Sequence, residues 1–234
     1  MSGGRVLFLV GSARPRGEST SEALGRHVLR QLEAGGMESD VRYVSHCRGD
    51  EALAELAAAV DAADIFLLAT PVYVDSLPYL VTLALERIAA AREALSEPRP
   101  VRFLAITNCG FPEAVHTEVP RAICRAFARR ARLECAGTLG LGGGEALRGR
   151  APDRMGWLAR HVTRSLDLAA EALLAGRPVP DKAVELMARP LVPAVGYTLI
   201  GELGWRRQAR SHGVEAQLEA RPYQQAEAGE RAPT

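Results

Sequence analysis

Residues 5–21 read RVLFLVGSARPRGESTS. Arg5 to Val10 is an apolar run of strand length, closed by Gly11. Such a run suits a parallel strand buried on both faces. The loop from Gly11 to Ser21 carries two glycines, four hydroxyls (Ser12, Ser19, Thr20, Ser21) and two arginines (Arg14, Arg16). It opens an amphipathic stretch with Leu24, Val28, Leu29 and Leu32 on one face. N–H groups and the dipole at a helix start attract an anion, and N-cap hydroxyls add donors. A phosphate monoester suits this donor set; the plainer reading is an ordinary N-cap in a polar loop. The loop lacks the lysine of a Walker A motif, and no G-x-G-x-x-G follows the strand.

The same alternation continues outward. Asp40–Val44, Asp64–Thr70, Val101–Thr107 and Cys135–Leu141 read as further strands. Asp50–Ala63, Leu77–Leu95 and Ala114–Leu133 between them read as helices. Right-handed crossovers then give a parallel sheet with helices on both faces. Past Arg150 the pattern becomes helix and loop. Asp153–Leu174 reads as one long helix, GRPVP at 176–180 as a break, and Asp181–Met187 as a short helix. The stretch to Gly213 reads as apolar and irregular, then basic, and roughly the last twenty residues as a polar, flexible tail.

The chain has 234 residues, more than one domain of about 150 residues requires. Basic and acidic residues number 29 and 28, a net charge of +1, which excludes a strongly basic nucleic-acid binder. Aromatics are 5%, too few for a surface that stacks many bases. Lys182 is the sole lysine, so any single arginine is weak evidence for an anion site. Cys47, Cys109, Cys124 and Cys135 form no C-x-x-C pair, and no metal site is expected. No secretory pattern or run of about 20 apolar residues is present, so the expectation is a soluble, cytoplasmic protein with reduced thiols. Cys124 and Arg130 match the C-x5-R string of thiol phosphatases, but within a helix, where the thiolate has no cradle.

Ligands of open parallel sheets bind at the carboxyl ends of strands, where strand order reverses. Two more loops are therefore informative. Pro71, Val72, Tyr73 and Val74 offer a rigid, flat, apolar surface suited to a planar ring. Asn108, Cys109, Gly110 and Phe111 offer a close backbone approach and a second flat surface. Cys109 reads more readily as a small buried hydrophobe than as a redox thiol.

Together these loops resemble the flavodoxin-like flavoproteins, in the NAD(P)H-dependent FMN reductase and flavodoxin family oxidoreductase branch. The first resembles that branch's G-S-x-R-…-[NT]-[ST]-x-x-L in Gly11, Ser12, Arg14, Thr20, Ser21 and Leu24. The second resembles P-x-Y-x-x-S-x-P in Pro71, Tyr73, Ser76 and Pro78. Asn108–Glu113 and the Gly142-Gly143-Gly144 loop complete the likeness, which covers roughly residues 5 to 175. The first loop is longer than the compact form, and Asp75 stands where glycine is common.

The resemblance implies an α/β, flavodoxin-like, doubly wound five-stranded parallel sheet of order 2-1-3-4-5 with a C-terminal helical extension. Residues 1–175 would be the FMN-binding domain; residues 176–213 lie outside the resemblance, and their apolar stretch is read as a helical lid or dimer contact, against simple packing on the sheet, with 214–234 a polar tail. The resemblance further implies FMN as cofactor and NAD(P)H as co-substrate. Ser12, Arg14, Ser19, Thr20 and Ser21 would hold the phosphate. Pro71, Val72, Tyr73 and Val74 would contact the isoalloxazine, with Asn108, Cys109, Gly110 and Phe111 along its other side. The expected activity is hydride transfer from NAD(P)H through flavin to a small acceptor such as a quinone or free flavin. No side chain is nominated as catalytic, because the cofactor carries the redox chemistry. A homodimer is expected, with no nucleic-acid or membrane partner. The alternative is a flavodoxin-type electron carrier, which the near-neutral charge disfavours.

Overall fold

The computed structural model describes residues 4–192 and 194–221. β1 (Arg5–Val10) sends alternate side chains into two separate cores. Val6, Phe8 and Val10 join one cluster, and Leu7 and Leu9 the other. A strand covered on both faces has no polar face to show, hence its continuous apolar run.

The sheet adds β2 (Glu38–Tyr43), β3 (Ile65–Pro71), β4 (Arg102–Asn108) and β5 (Glu134–Leu141). All four pairings are parallel, in the order β2-β1-β3-β4-β5. This is the expected flavodoxin-like topology. α1 (Thr20–Ala34) and α5 (Arg160–Leu174) supply Leu24, Val28, Leu166 and Leu173 to the core on one face. α2 (Asp50–Asp61), α3 (Tyr79–Glu93) and α4 (Glu118–Arg130) supply Leu56, Ile88 and Phe127 on the other. The chain leaves β1 for β2 and returns past β1 to β3, so strand order reverses between β1 and β3. That crevice opens at the carboxyl ends of the strands.

Two elements depart from the sequence reading. The helix expected over 153–174 is broken: a 3-10 stretch over Pro152–Ala159 precedes α5, and Gly156 interrupts it at φ 58° and ψ −133°. An amphipathic pattern does not register a glycine that takes a left-handed turn. The stretch to Gly213, read locally as irregular within the expected helical extension, forms one continuous helix, α7 (Ala194–Ser211). Its glycines at 196, 201 and 204 lower helix propensity, yet a single glycine costs only about 1 kcal/mol in a helix.

The chain divides into two units, residues 1–192 and 193–234. α6 (Asp181–Met187) lies inside the first and packs on α5 and β5, burying Ala183 and Met187. The Val179 N–H donates to the Ala136 carbonyl of β5 at 2.7 Å. The second unit contains α7 and a short turn over Glu215–Gln217, and residues 222–234 of the expected tail lie outside the described residues. Among the described residues, no helix is long and apolar enough to cross a membrane.

Candidate functional site

The loop between β1 and α1 ends at Ser19, whose hydroxyl caps α1 by accepting from the Glu22 N–H at 3.3 Å. The first helical bond is Ala23 N–H to the Ser19 carbonyl, so the Thr20 and Ser21 N–H groups have no helical partner. They form the anion-attracting end of α1. Ser12 is buried and accepts from the Arg14 N–H at 3.3 Å. The Arg14 guanidinium reaches Glu145 at 3.5 Å, both side chains half exposed.

The hydroxyls of Thr20 and Ser21 face inward instead. Thr20 Oγ1 donates to the Gly144 carbonyl at 3.0 Å and accepts from the Gly149 N–H at 3.3 Å. Ser21 Oγ donates to Asn108 Oδ1 at 2.7 Å. Both residues therefore present backbone rather than hydroxyl to a ligand. A Cβ on Gly142 would collide with the Pro112 carbonyl oxygen, so only glycine lets the loop after β5 close on the loop after β4.

The loop after β3 is held by a Val72 N–H bond to the Asn108 carbonyl at 2.9 Å. Tyr73 and Ser76 exchange two backbone hydrogen bonds, of 2.9 and 3.0 Å. Between them Val74 and Asp75 both take positive φ, 49° and 56°, which makes a type I′ turn. Pro71 ends β3, Tyr73 is half exposed, and Val74 at the tip is 99% exposed.

In the loop after β4, the Cys109 thiol is buried and donates to the Phe111 carbonyl at 3.4 Å. Burial pushes this thiol up, and hydrogen bonding to the sulfur from the backbone of Phe111, Gly143 and Cys109 only partly offsets that. It is a neutral packing group, not a thiolate. Gly110 and Phe111 are exposed, and Phe111 lies against His116 with ring centroids 4.7 Å apart.

Glu22 is a site residue that the sequence reading passed over. Its Oε2 accepts from the Gly17 N–H at 2.8 Å, and its Oε1 from the Tyr43 hydroxyl at 2.5 Å and Arg26 at 3.3 Å. Burial alone would raise this carboxyl, but the bonds from Tyr43, Gly17 and Arg26 outweigh it and hold it below the usual range. The Arg16 guanidinium stands over the Tyr43 ring at 4.6 Å. The signal was present as a capping box, Ser19-x-x-Glu22. Cys124 and Arg130 are separated in function: the thiol is buried on α4 and pushed up to about 12, first by burial, while Arg130 pairs with Glu93 at 2.9 Å.

All three loops thus meet at the reversal of strand order. Residues 5–127, more than half of the chain, match the model of the NADPH-dependent FMN reductase family. The chain belongs to that family. It is an oxidoreductase of the FMN-dependent, NAD(P)H-using kind. An FMN-dependent NADH-azoreductase from Bacillus anthracis str. Ames Ancestor, solved in complex with FMN, has a TM-score of 0.55 to this chain at 14% identity, covering 73% of this chain and 99% of its own. An oxidoreductase from Corynebacterium diphtheriae gives 0.52 at 16% identity, covering 80% and 98%. An NAD(P)H:quinone oxidoreductase from Methanothermobacter marburgensis gives 0.50 at 14% identity, covering 70% and 96%. At such identities the likeness concerns the fold. No curated protein matches the sequence.

The donor set suits the family's cofactor. N–H groups without a helical partner at the start of α1 are a donor set of the kind a phosphate takes. Tyr73, Val74 and Phe111 are exposed, and their apolar surface is of the kind that a flat ring system packs on.

Proposed function

We propose that this family member binds FMN in the crevice between β1 and β3 and reduces a small acceptor, a quinone or free flavin, at the expense of NAD(P)H. The observation that carries the reading is Asn108, which ties the three loops together through Ser21 and Val72. When bound, FMN would supply the redox chemistry between the nicotinamide and the acceptor. The protein's part is to bind and orient. Ser12, Arg14 and the N–H groups of Thr20 and Ser21 hold the phosphate end, with Ser19 capping the helix that presents them. Pro71, Val72, Tyr73 and Val74 flank one side of the ring, and Asn108, Cys109, Gly110 and Phe111 the other. The neutral Cys109 thiol supports a site without a catalytic side chain.

The reading includes a cytoplasmic homodimer, in which α7, within the extension expected over 176–213, serves as lid or dimer contact, while α6 packs on the sheet. Its support is Leu203 and Trp205, both largely exposed on α7. The decisive experiment is the absorbance spectrum of the purified protein, followed by anaerobic titration with NADH and NADPH. A yellow protein reduced by either nucleotide, with turnover on quinone or free FMN, supports the reading. A colourless protein that gains no flavin signal on FMN titration overturns it, and a reducible flavin without turnover on any acceptor points to the electron carrier.

A further inference from the structure

Away from the crevice, α4 places two cations against the edge strand β5. Arg121 Nε donates to Thr138 Oγ1 at 3.3 Å, and Arg125 Nη1 donates to the same oxygen at 3.1 Å. A hydroxyl oxygen has two lone pairs, so these two guanidiniums use both. Among the described residues, neither arginine forms an ion pair. Each guanidinium carries five N–H donors, and the hydroxyl takes one from each. The pairing is built rather than incidental. Thr138 is buried, Arg121 is half-buried, and Gly140 leaves space for the Arg121 stem, whose Cδ would stand 2.9 Å from a Cβ there. Burial, and then the charge of Arg125, push Arg121 below the ordinary arginine value; Glu118 only partly offsets them. A cleft of about 420 Å³ opens here, lined by Glu118, Val119, Arg121, Ala122 and Arg125. Two like charges converging on one neutral oxygen repel each other, and an oxyanion in the cleft removes that cost.

We infer that Arg121 and Arg125, seated on Thr138, form an anion site distinct from the flavin crevice, with a phosphate group as its ligand. A guanidinium fork matches a phosphate or carboxylate edge, and two forks suit the tetrahedral oxyanion. The phosphate is either inorganic or part of a nucleotide such as the 2′-phosphate end of NADPH; both share the same chemistry.

The test uses the full chain saturated with FMN, so that any phosphate site at the start of α1 is filled. Inorganic phosphate is titrated and followed by phosphorus NMR, beside 2′,5′-ADP. Saturable binding is expected, weakened about tenfold in Arg125→Gln, the loss expected for one charge-assisted contact. Arg125 is exposed, so this variant keeps the fold. Thr138→Val, which unseats both arginines, is expected to weaken binding as well. Tighter, Arg125-dependent binding of 2′,5′-ADP assigns the site to a nucleotide; equal binding assigns it to the free anion. Absence of saturable binding, or binding unchanged in both Arg121→Gln and Arg125→Gln, overturns the inference. If the chain takes up no FMN, the Arg125-dependent part of the phosphate isotherm still decides the matter.

Discussion

Asn108 holds one loop with its side chain and another with its backbone. Ser21→Ala removes the donor to its buried Oδ1 and leaves that atom without the partner it has now. Such a loss costs about 1–3 kcal/mol. The variant is therefore expected to unfold earlier in urea and to bind FMN more weakly, with Asn108→Ala non-additive to it in a double-mutant cycle. Glu22 makes a second residue-level prediction. Its folded carboxyl titrates below the unfolded one, so its contribution is present above the unfolded value and is lost as the pH falls through the folded one. Wild-type stability should thus drop on acidification below about pH 5, and Glu22→Gln should drop less over the same range. Urea melts at a series of pH values check this; equal slopes for the two proteins would refute it. Glu22 also explains why a list of hydroxyls was a partial guide to the loop. Ser, Thr and Glu near a helix start announce capping, but which of them turns inward depends on partners far along the chain. Thr20 and Ser21 are committed to Gly144, Gly149 and Asn108, and no local pattern encodes those distances.

Among elements, the turn after β3 stores conformational cost at a solvent-exposed point. Val74 is β-branched, holds φ 49° and is 99% exposed, so it loses little packing on replacement. A left-handed residue costs about 1–2 kcal/mol, and glycine there loses about 0.5–1 kcal/mol of chain entropy. Val74→Gly is expected to raise stability by a net of about 0.5–1 kcal/mol, read by thermal unfolding. An unchanged or lower Tm would show that the turn is not strained. The elements themselves were largely legible. Apolar runs such as RVLFLV and IFLLATP mark strands because a doubly covered sheet leaves them no polar face. Helix boundaries were legible to a few residues, since Leu24, Val28, Leu29 and Leu32 recur at helical spacing. Gly156 and the continuity of α7 were not legible, although a helical extension was. In both, the sequence holds glycine, and glycine permits a kink and a helix alike; the choice is made by surroundings. The edge pairing of Val179 was equally hidden, because Gly137 makes its room from another part of the chain.

At the scale of the molecule, the first unit reaches Val192, beyond the boundary at 175 expected from the resemblance. A chain ending at Val192 is expected to keep the sheet fold and its flavin binding. One ending at Arg177 loses α6 and with it the buried Ala183 and Met187. Burying one large apolar side chain is worth about 1.5–3 kcal/mol, so the shorter chain should be markedly less stable in urea. Equal stability of the two truncations would show that α6 adds nothing to the unit. The sheet's outer strands carry a further consequence. A bare strand edge is a template onto which another chain can add. β2 is guarded by its own charges, Glu38, Asp40 and Arg42. β5 has the Val179 N–H against Ala136, with α6 beside it. Removing that cover would free a carbonyl facing outward from the last strand. The Arg177 truncation should therefore not merely melt earlier; it should seed intermolecular strand addition and leave solution as aggregate, while the longer chain stays dispersed.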